Sequence, residues 1–236
     1  MFAMSRVKIG TLQDILLELV LKYFIMSILD NFDTLEKNQD IDNLKQWKRE
    51  KLYANTLLRK GGVKCFSVTD KVLLKDRIES IIKSAYFSQE LKDMATREIL
   101  PIDCRYLCKG DAYGFLSKVA GNKTNPIVII ENINRIPDED AIHDNPVYVA
   151  NLLVHSWKNE DIYAGDIHID RRGLTVILTS PTEGEETLVS VCRQNSYACC
   201  GDFDKWINTI EETAVKNAEK EYNDYGNSNL AEERAE

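Results

Sequence analysis

The sequence predicts a three-layer α/β fold, a mostly parallel sheet covered by helices on both faces, with a helical extension at its N-terminus. Three observations lead there. Ile127-Val128-Ile129-Ile130 and Leu174-Thr175-Val176-Ile177-Leu178 are apolar runs with almost no polar alternation, the pattern of strands buried on both faces. Strand-like and helix-like segments alternate from about residue 61 to residue 210, which argues for parallel pairing. The chain has 236 residues with 44% hydrophobic content, enough for one large or two small domains with a proper core. The spacing predicts a helical extension over 1–60, an α/β core over 61–210, and the end of a last helix with an acidic tail over 211–236.

In chain order, residues 11–32 form the first helix. Its stretch from Leu12 to Phe32 is apolar enough to resemble a membrane span, but Asp14, Glu18 and Lys22 make a polar stripe at helical spacing. That stripe suits an amphipathic helix packed on protein rather than a spanning one. A strongly basic polar face, the mark of an interfacial helix, is missing from it. Asn38 to Asp42 breaks the chain, Asp42 can cap a helix over 43–58, and Gly61-Gly62 ends that helix. Lys45, Lys48, Arg49, Lys51, Arg59 and Lys60 are the densest positive charge. They read either as a solvated helix face or as a contact for nucleic acid or an acidic partner.

Val63 to Thr69 is a strand by composition, and 70–88 a helix with Leu73, Leu74, Ile78, Ile81, Ile82 and Tyr86 as its apolar positions. A second helix covers about 89–98, and Asp103 to Cys108 reads as a short strand. Gly110-Asp111 opens a helix over 112–119. The turn Asn125-Pro126 launches the central strand 127–130, which ends on Glu131-Asn132. The C-terminal strand ends of an open α/β sheet form its ligand crevice, so these are the residues to weigh. An acidic loop, Asp138-Glu139-Asp140, precedes a helix over 146–158. Ile162 to Ile169 with the turn 170–173 suggests a hairpin arm. The strand 174–178 ends on Thr179-Ser180-Pro181; 188–192 reads as a short helix, 196–200 as a last strand, and 204–221 as a helix capped by Asp204. Residues 222–236 are acidic and Asn-rich, a composition that predicts disorder.

Taken together, the run IVIIENINRIP, the segment CKGDAYGFLSKVAG before it, the segments LLVHSWKNE and IYAGDIHID, and the strand LTVILTSP resemble the AAA+ branch of P-loop ATPases. The likeness is to the Holliday-junction branch-migration motor and the MoxR-type ATPases, over roughly residues 61–210. The resemblance implies a P-loop NTPase core in which Glu131 and Asn132 stand at the Walker B positions and Thr179 or Ser180 at sensor 1. It also implies an arginine finger at Arg193, fourteen residues beyond Thr179; Arg171 and Arg172 are alternative fingers, read more simply as turn residues.

The departures shape the functional expectation. A phosphate loop of the form G-x-x-x-x-G-K-[ST] needs glycines so that backbone N–H groups can wrap the phosphates. The corresponding stretch is Thr69-Asp70-Lys71-Val72-Leu73-Leu74-Lys75-Asp76, with no glycine; Lys71 and Lys75 are the candidate remnants for a nucleotide contact. Asn132 replaces a glutamate, and an amide cannot take a proton as a carboxylate does. Only one helix follows residue 201, so the family's helical lid is missing from the pattern.

The leading expectation is therefore a non-hydrolysing AAA+-like protein, a pseudo-ATPase acting as an assembly or regulatory subunit, with itself or with a partner ATPase to which Arg193 is supplied in trans. Two alternatives stand beside it: an ATP-binding ATPase with an atypical loop using Lys71 or Lys75 and Glu131, with magnesium, and a DNA replication or recombination accessory contacting phosphates through Lys45, Lys48, Arg49, Lys51 and the hairpin arm.

Net charge is −8, against tight non-specific nucleic-acid binding by the whole domain. The six cysteines, Cys65, Cys104, Cys108, Cys192, Cys199 and Cys200, show no secreted framework, and residues 1–10 carry no signal-peptide pattern. The expectation is free thiols in a cytoplasmic protein. No Cys-x-x-Cys pair accompanies His143, His155 and His168, so no metal site is expected, and Asp138, Glu139 and Asp140 read as a solvated loop. Vicinal Cys199 and Cys200, on a strand, would point to opposite faces.

Overall fold

The computed structural model describes residues 39–69, 73–107, 111–136 and 151–233. The chain divides into two units, Met1–Leu44 and Lys45–Glu236. In the first, the described residues 39–44 are helical. The helix expected over 11–32, with its membrane-like stretch, lies outside the described residues. Among those residues no helix is long and apolar enough to cross a membrane.

The second unit opens with α1 (residues 45–52), which tightens into a π-helical turn, Tyr53–Leu57. The β-branched and aliphatic runs then form a five-stranded, wholly parallel sheet. Its strands are β1 (Val63–Val68), β2 (Ile99–Asp103), β3 (Ile127–Glu131), β6 (Thr175–Pro181) and β7 (Ala198–Asp202), in the spatial order β2-β3-β6-β1-β7. β6 thus lies between the two strands flanking it, pairing Val63 with Val176 on the β1 side and Ile127 with Thr175 on the β3 side. The parallel expectation for 63–69, 127–130 and 174–178 holds in this register. A separate antiparallel hairpin, β4 (Asp161–Ala164) with β5 (Ile167–Asp170), is the expected arm.

Alternation along the strands divides the core in two. Val128, Ile130, Val176 and Leu178 face a layer built by α4 (Asp111–Gly121), α5 (Glu185–Asn195), the turns over 151–158 and the hairpin, with Leu116, Leu153, Trp157 and Leu188 fully buried. Ile127, Ile129, Ile177 and Phe66 face the opposite layer, α2 (Leu74–Lys83), α3 (Gln89–Met94), the π-helical turn and α6 (Phe203–Glu233). There Phe66 meets Phe203 and Trp206 edge-on, with ring centroids 5.2 and 5.1 Å apart. Each fully buried aliphatic side chain adds about 1.5–3 kcal/mol, so both layers contribute to holding the sheet.

Two polar devices tie the layers. Arg97, buried at the N-terminal edge of the sheet, donates to the carbonyls of Asn125 (2.6 Å) and Pro126 (3.2 Å) and to the Thr175 hydroxyl (3.0 Å). Asn125 holds a left-handed conformation there, φ 53°, which asparagine tolerates better than most residues. Glu50, buried in α1, accepts from the backbone N–H groups of Tyr86, Phe87 and Ser88 at 2.7, 2.9 and 2.7 Å. They belong to the turn that leads into α3 and end on its N-cap, Ser88.

Several expectations are corrected. The strand placed at 103–108 is β2, Ile99–Asp103, and Cys104–Tyr106 is a 3-10 turn. β2 contains Pro101 and is an edge strand, where a residue without an N–H is tolerated. The helices expected over 70–88 and 89–98 are shorter, and residues 39–42 are already helical, so Asp42 is not a cap. Of the helix expected over 146–158, the described part is a π-helical and a 3-10 turn. The last helix begins at Phe203 with Asp202, not Asp204, accepting from the Lys205 N–H. It continues to Glu233 through the segment expected to be disordered.

Candidate functional site

All five strands of the sheet run the same way, so their C-terminal ends share one edge. The chain leaves β1 toward α2 on one face and leaves β6 toward α5 on the other. Divergence of this kind opens a crevice at a topological switch point. A cavity of about 550 Å³ lies there, lined by Val68, Leu73, Leu74, Glu131, Asn132 and Thr179 among others. Of the residues singled out from the sequence for the site, Glu131, Asn132, Thr179 and its alternative Ser180 come together in it.

Glu131 closes β3 on the α2 side of the sheet. Its Cα partner on β2 is Asp103, so two carboxylates stand side by side at neighbouring strand ends. Burial pushes Glu131 above the usual carboxylate range and the charge of Asp103 pushes it further. The backbone N–H of Leu74, at the first turn of α2, and the guanidinium of Arg105 pull the other way without cancelling the rise. The carboxylate therefore faces the start of a helix, where unpaired N–H groups and the helix dipole favour an anion.

Asp103 behaves oppositely. Burial alone would raise it, but hydrogen bonds from Arg105 and from Asn132 hold it below its ordinary value. Arg105 grips both oxygens, Nε at 3.1 and 3.0 Å and Nη2 at 2.6 Å. The Asn132 amide donates to Oδ1 at 2.9 Å. Asn132 holds φ 57°, ψ 45°, a left-handed bend that turns the chain off the strand and sets its side chain across to β2.

On the far side, Arg135 pairs with Glu183 at 2.7 Å. Gly184 lies so close to Asn134 and Ser180 that a Cβ there would fall 2.3 Å from each. This contact needs glycine and locks the turn after β3 onto the turn after β6.

Lys75 does not enter the crevice contacts; its ammonium lies 3.6 Å from Glu79, one turn along α2. Lys71 and the acidic residues 138–140 lie outside the described residues. Arg193 is exposed in the last turn of α5. Arg171 donates to the carbonyls of Asn159 (2.9 Å) and Gly61, and Arg172 to Asp170 (2.9 Å), so both are turn-stabilising groups. The basic helix is partly neutralised: Lys45 meets Glu219 at 3.6 Å, Lys48 meets Glu221, and Lys51 meets Glu90 at 3.9 Å. The hairpin presents Asp161 and Asp170 beside a stacked Tyr163–His168 pair, which gives its exposed face acidic as well as aromatic character.

Magnesium takes oxygen ligands in a near-octahedral set, and nucleotide phosphates need free N–H groups or cations. The described residues do not fit them. Asp103 is committed to Arg105 and Asn132, Glu131 faces the N–H that a phosphate would use, and Leu73 and Leu74 line the wall. Among the described residues no cluster of three or more His, Cys, Asp or Glu could hold a metal ion.

The sequence reading missed Asp103, Arg105, Glu183 and Gly184. Asp103 had a signal: it ends the apolar run Ile99-Leu100-Pro101-Ile102 as Glu131 ends its own. No protein-family model matches the chain, and no curated protein matches it either.

Proposed function

We propose that the chain is a non-hydrolysing AAA+-like protein that acts as an assembly or regulatory subunit, joining copies of itself or an active ATPase. The observation that carries this reading is the Glu131 carboxylate set beside Asp103 and against the first turn of α2. In an ATP-hydrolysing relative that helix start would receive phosphate; here a nucleotide would meet an anion and two leucines. Asn132 supports the same reading, because its amide serves Asp103 and has no basic oxygen to activate water. The position of β6 between β1 and β3 also suits it, since Thr179 then lies between the phosphate-loop-like and Walker-B-like strand ends. The surfaces for assembly are the β4–β5 hairpin and the exposed Arg193, offered to a neighbour's nucleotide, where a guanidinium stabilises transition-state charge.

The test is a titration of the full chain with a fluorescent ATP analogue and magnesium, with light scattering read on the same samples. The expected result is no binding at millimolar nucleotide. Micromolar, magnesium-dependent binding, with phosphate release abolished in Glu131→Gln, would overturn the reading in favour of an atypical ATPase.

A further inference from the structure

Three cysteines from three elements converge on the α5 side of the sheet. Cys65 sits at the middle of β1 with no exposed surface, Cys192 faces inward from α5, and Cys199 lies exposed on the edge strand β7. Cys65 and Cys199 are Cα partners across the β1–β7 pair. Cys192 packs into the same core cluster as Cys65, and its thiol interacts electrostatically with both Cys65 and Cys199. Cys200, the next residue on β7, turns to the other face, packs with the α2–α6 layer and feels Lys64 instead. One accessible thiol is thus backed by one buried thiol that interacts with it.

We propose that Cys199 is a thiol-modification site and that Cys192 is its resolving partner, so that a low-molecular-weight disulfide such as oxidised glutathione converts the pair into an internal disulfide. In the first step the Cys199 thiolate attacks one sulfur of the small disulfide. That S–S bond breaks, one small thiolate leaves and takes up a proton, and a mixed disulfide remains on Cys199. In the second step the Cys192 thiolate attacks the Cys199 sulfur, the second small thiolate leaves and is protonated, and the Cys192–Cys199 bond closes. The two protein thiols lose two electrons and the small disulfide gains them.

The division of labour follows from access: burial and the neighbouring Cys192 hold Cys199 above its ordinary value, so its attack quickens as pH rises, and its exposure is what makes it the first thiol to react. Cys199 can be reached by solvent, whereas Cys192 is buried and needs only to reach Cys199. Thiolates, not thiols, carry out exchange. The interaction with Cys65, with a smaller one with Cys199, outweighs burial and lowers Cys192 to about 7. Cys65 is held protonated by the same interaction and by its burial, which removes it as the resolving group. The bridge would tie the last turn of α5, which carries Arg193, to the edge of the sheet.

The experiment treats the reduced full chain with oxidised glutathione at neutral pH and maps tryptic peptides without reduction. Trypsin cuts after Arg193, between the two cysteines, and a Cys200→Ser background removes the vicinal ambiguity. The expected result is loss of two free thiols per chain and a cross-linked pair of peptides joining Cys192 to Cys199. Cys192→Ser should instead accumulate a lasting glutathione adduct on Cys199, and Cys199→Ser, a change at an exposed side chain, should show neither product. A lasting adduct on Cys199 with Cys192 intact, a bridge to Cys65, or an unmodified Cys199 would overturn the proposal.

Discussion

At the N-terminal edge of the sheet the Arg97 guanidinium is buried among neutral acceptors, the carbonyls of Asn125 and Pro126 and the Thr175 hydroxyl. At the C-terminal edge the Glu131 carboxylate is half-buried beside a second carboxylate, Asp103, and opens onto a cavity. Burial lowers Arg97 to about 10, so it stays charged at neutral pH, and its acceptors compensate the desolvation. For Glu131, the neighbouring charge adds to the desolvation. One edge uses a buried charge to join three strands, and the other keeps a charge in a place that does not favour it. Stability explains the first arrangement and does not explain the second, which is why the second is the candidate site.

The largest effect should come from breaking the satisfied edge. Arg97→Met removes a donor from the carbonyls of Asn125 and Pro126 and from the Thr175 hydroxyl, and leaves the last two buried without it. Each orphaned group of this kind costs about 1–3 kcal/mol, so the variant should lose about 3 kcal/mol in urea denaturation with an unchanged slope. Arg97→Lys, with one compact ammonium in place of a fork, should recover only part. A loss under about 1 kcal/mol for Arg97→Met would mean that the clamp contributes little and that the two edges are more alike than their geometry suggests.

Glu50 extends the comparison to a carboxylate that, unlike Glu131, is fully satisfied. Burial pushes it up, but the N–H groups of Ser88, Tyr86 and Phe87 and the Gln46 side chain outweigh burial and hold it below its ordinary value of 4.5. An acid lowered in the folded state stabilises the fold above its unfolded value, and the contribution is lost as pH falls through the folded value. Glu50→Gln should cost about 2 kcal/mol at neutral pH, since hydrogen bonds to a charged group are worth roughly 1.5–3 kcal/mol. The deficit should shrink as acid unfolding is approached. Equal stability of variant and parent at pH 7 would remove Glu50 from the set of satisfied charges.

The residues that carry this contrast differ in how far they could be read from the sequence. β3 and β6 were legible because Ile127 to Ile130 and Val176 to Leu178 are apolar without alternation, and a doubly buried strand requires that pattern. Glu131, Asn132 and Thr179 were legible as the first polar groups after such runs. Asp103 was not, because its place beside Glu131 depends on the pairing of Ile99 with Ile127, and register between strands leaves no local trace. Pro101 further disguised β2, since its meaning changes between an edge and a central strand. Arg97 falls in the segment read as a helix over about 89–98, and nothing in Thr96-Arg97-Glu98 announces a buried guanidinium. The interaction of Cys192 with Cys65 and Cys199 was hidden for the same reason, since the sheet brings together residues far apart in the chain.

The smallest effect is the most discriminating. In Glu131→Gln the amide oxygen can still accept from the Leu74 N–H, while the repulsion from Asp103 disappears. Charge pairs directly opposite on neighbouring strands contribute about 0.2–1 kcal/mol, so the variant should be more stable than the parent by a few tenths to about 1 kcal/mol at pH 7. The sign follows from the raised value of Glu131: an acid raised in the folded state costs stability when ionised, and the cost fades as pH falls through the folded value toward the unfolded one. The advantage of Glu131→Gln should therefore be greatest near neutrality and vanish in acid, the reverse of the Glu50 profile. Paired denaturation curves at several pH values would read both trends. If Glu131→Gln is instead destabilised by more than about 1 kcal/mol at pH 7, the carboxylate is a helix cap of the same kind as Glu50, and the C-terminal edge loses its claim to hold a charge that the fold does not need.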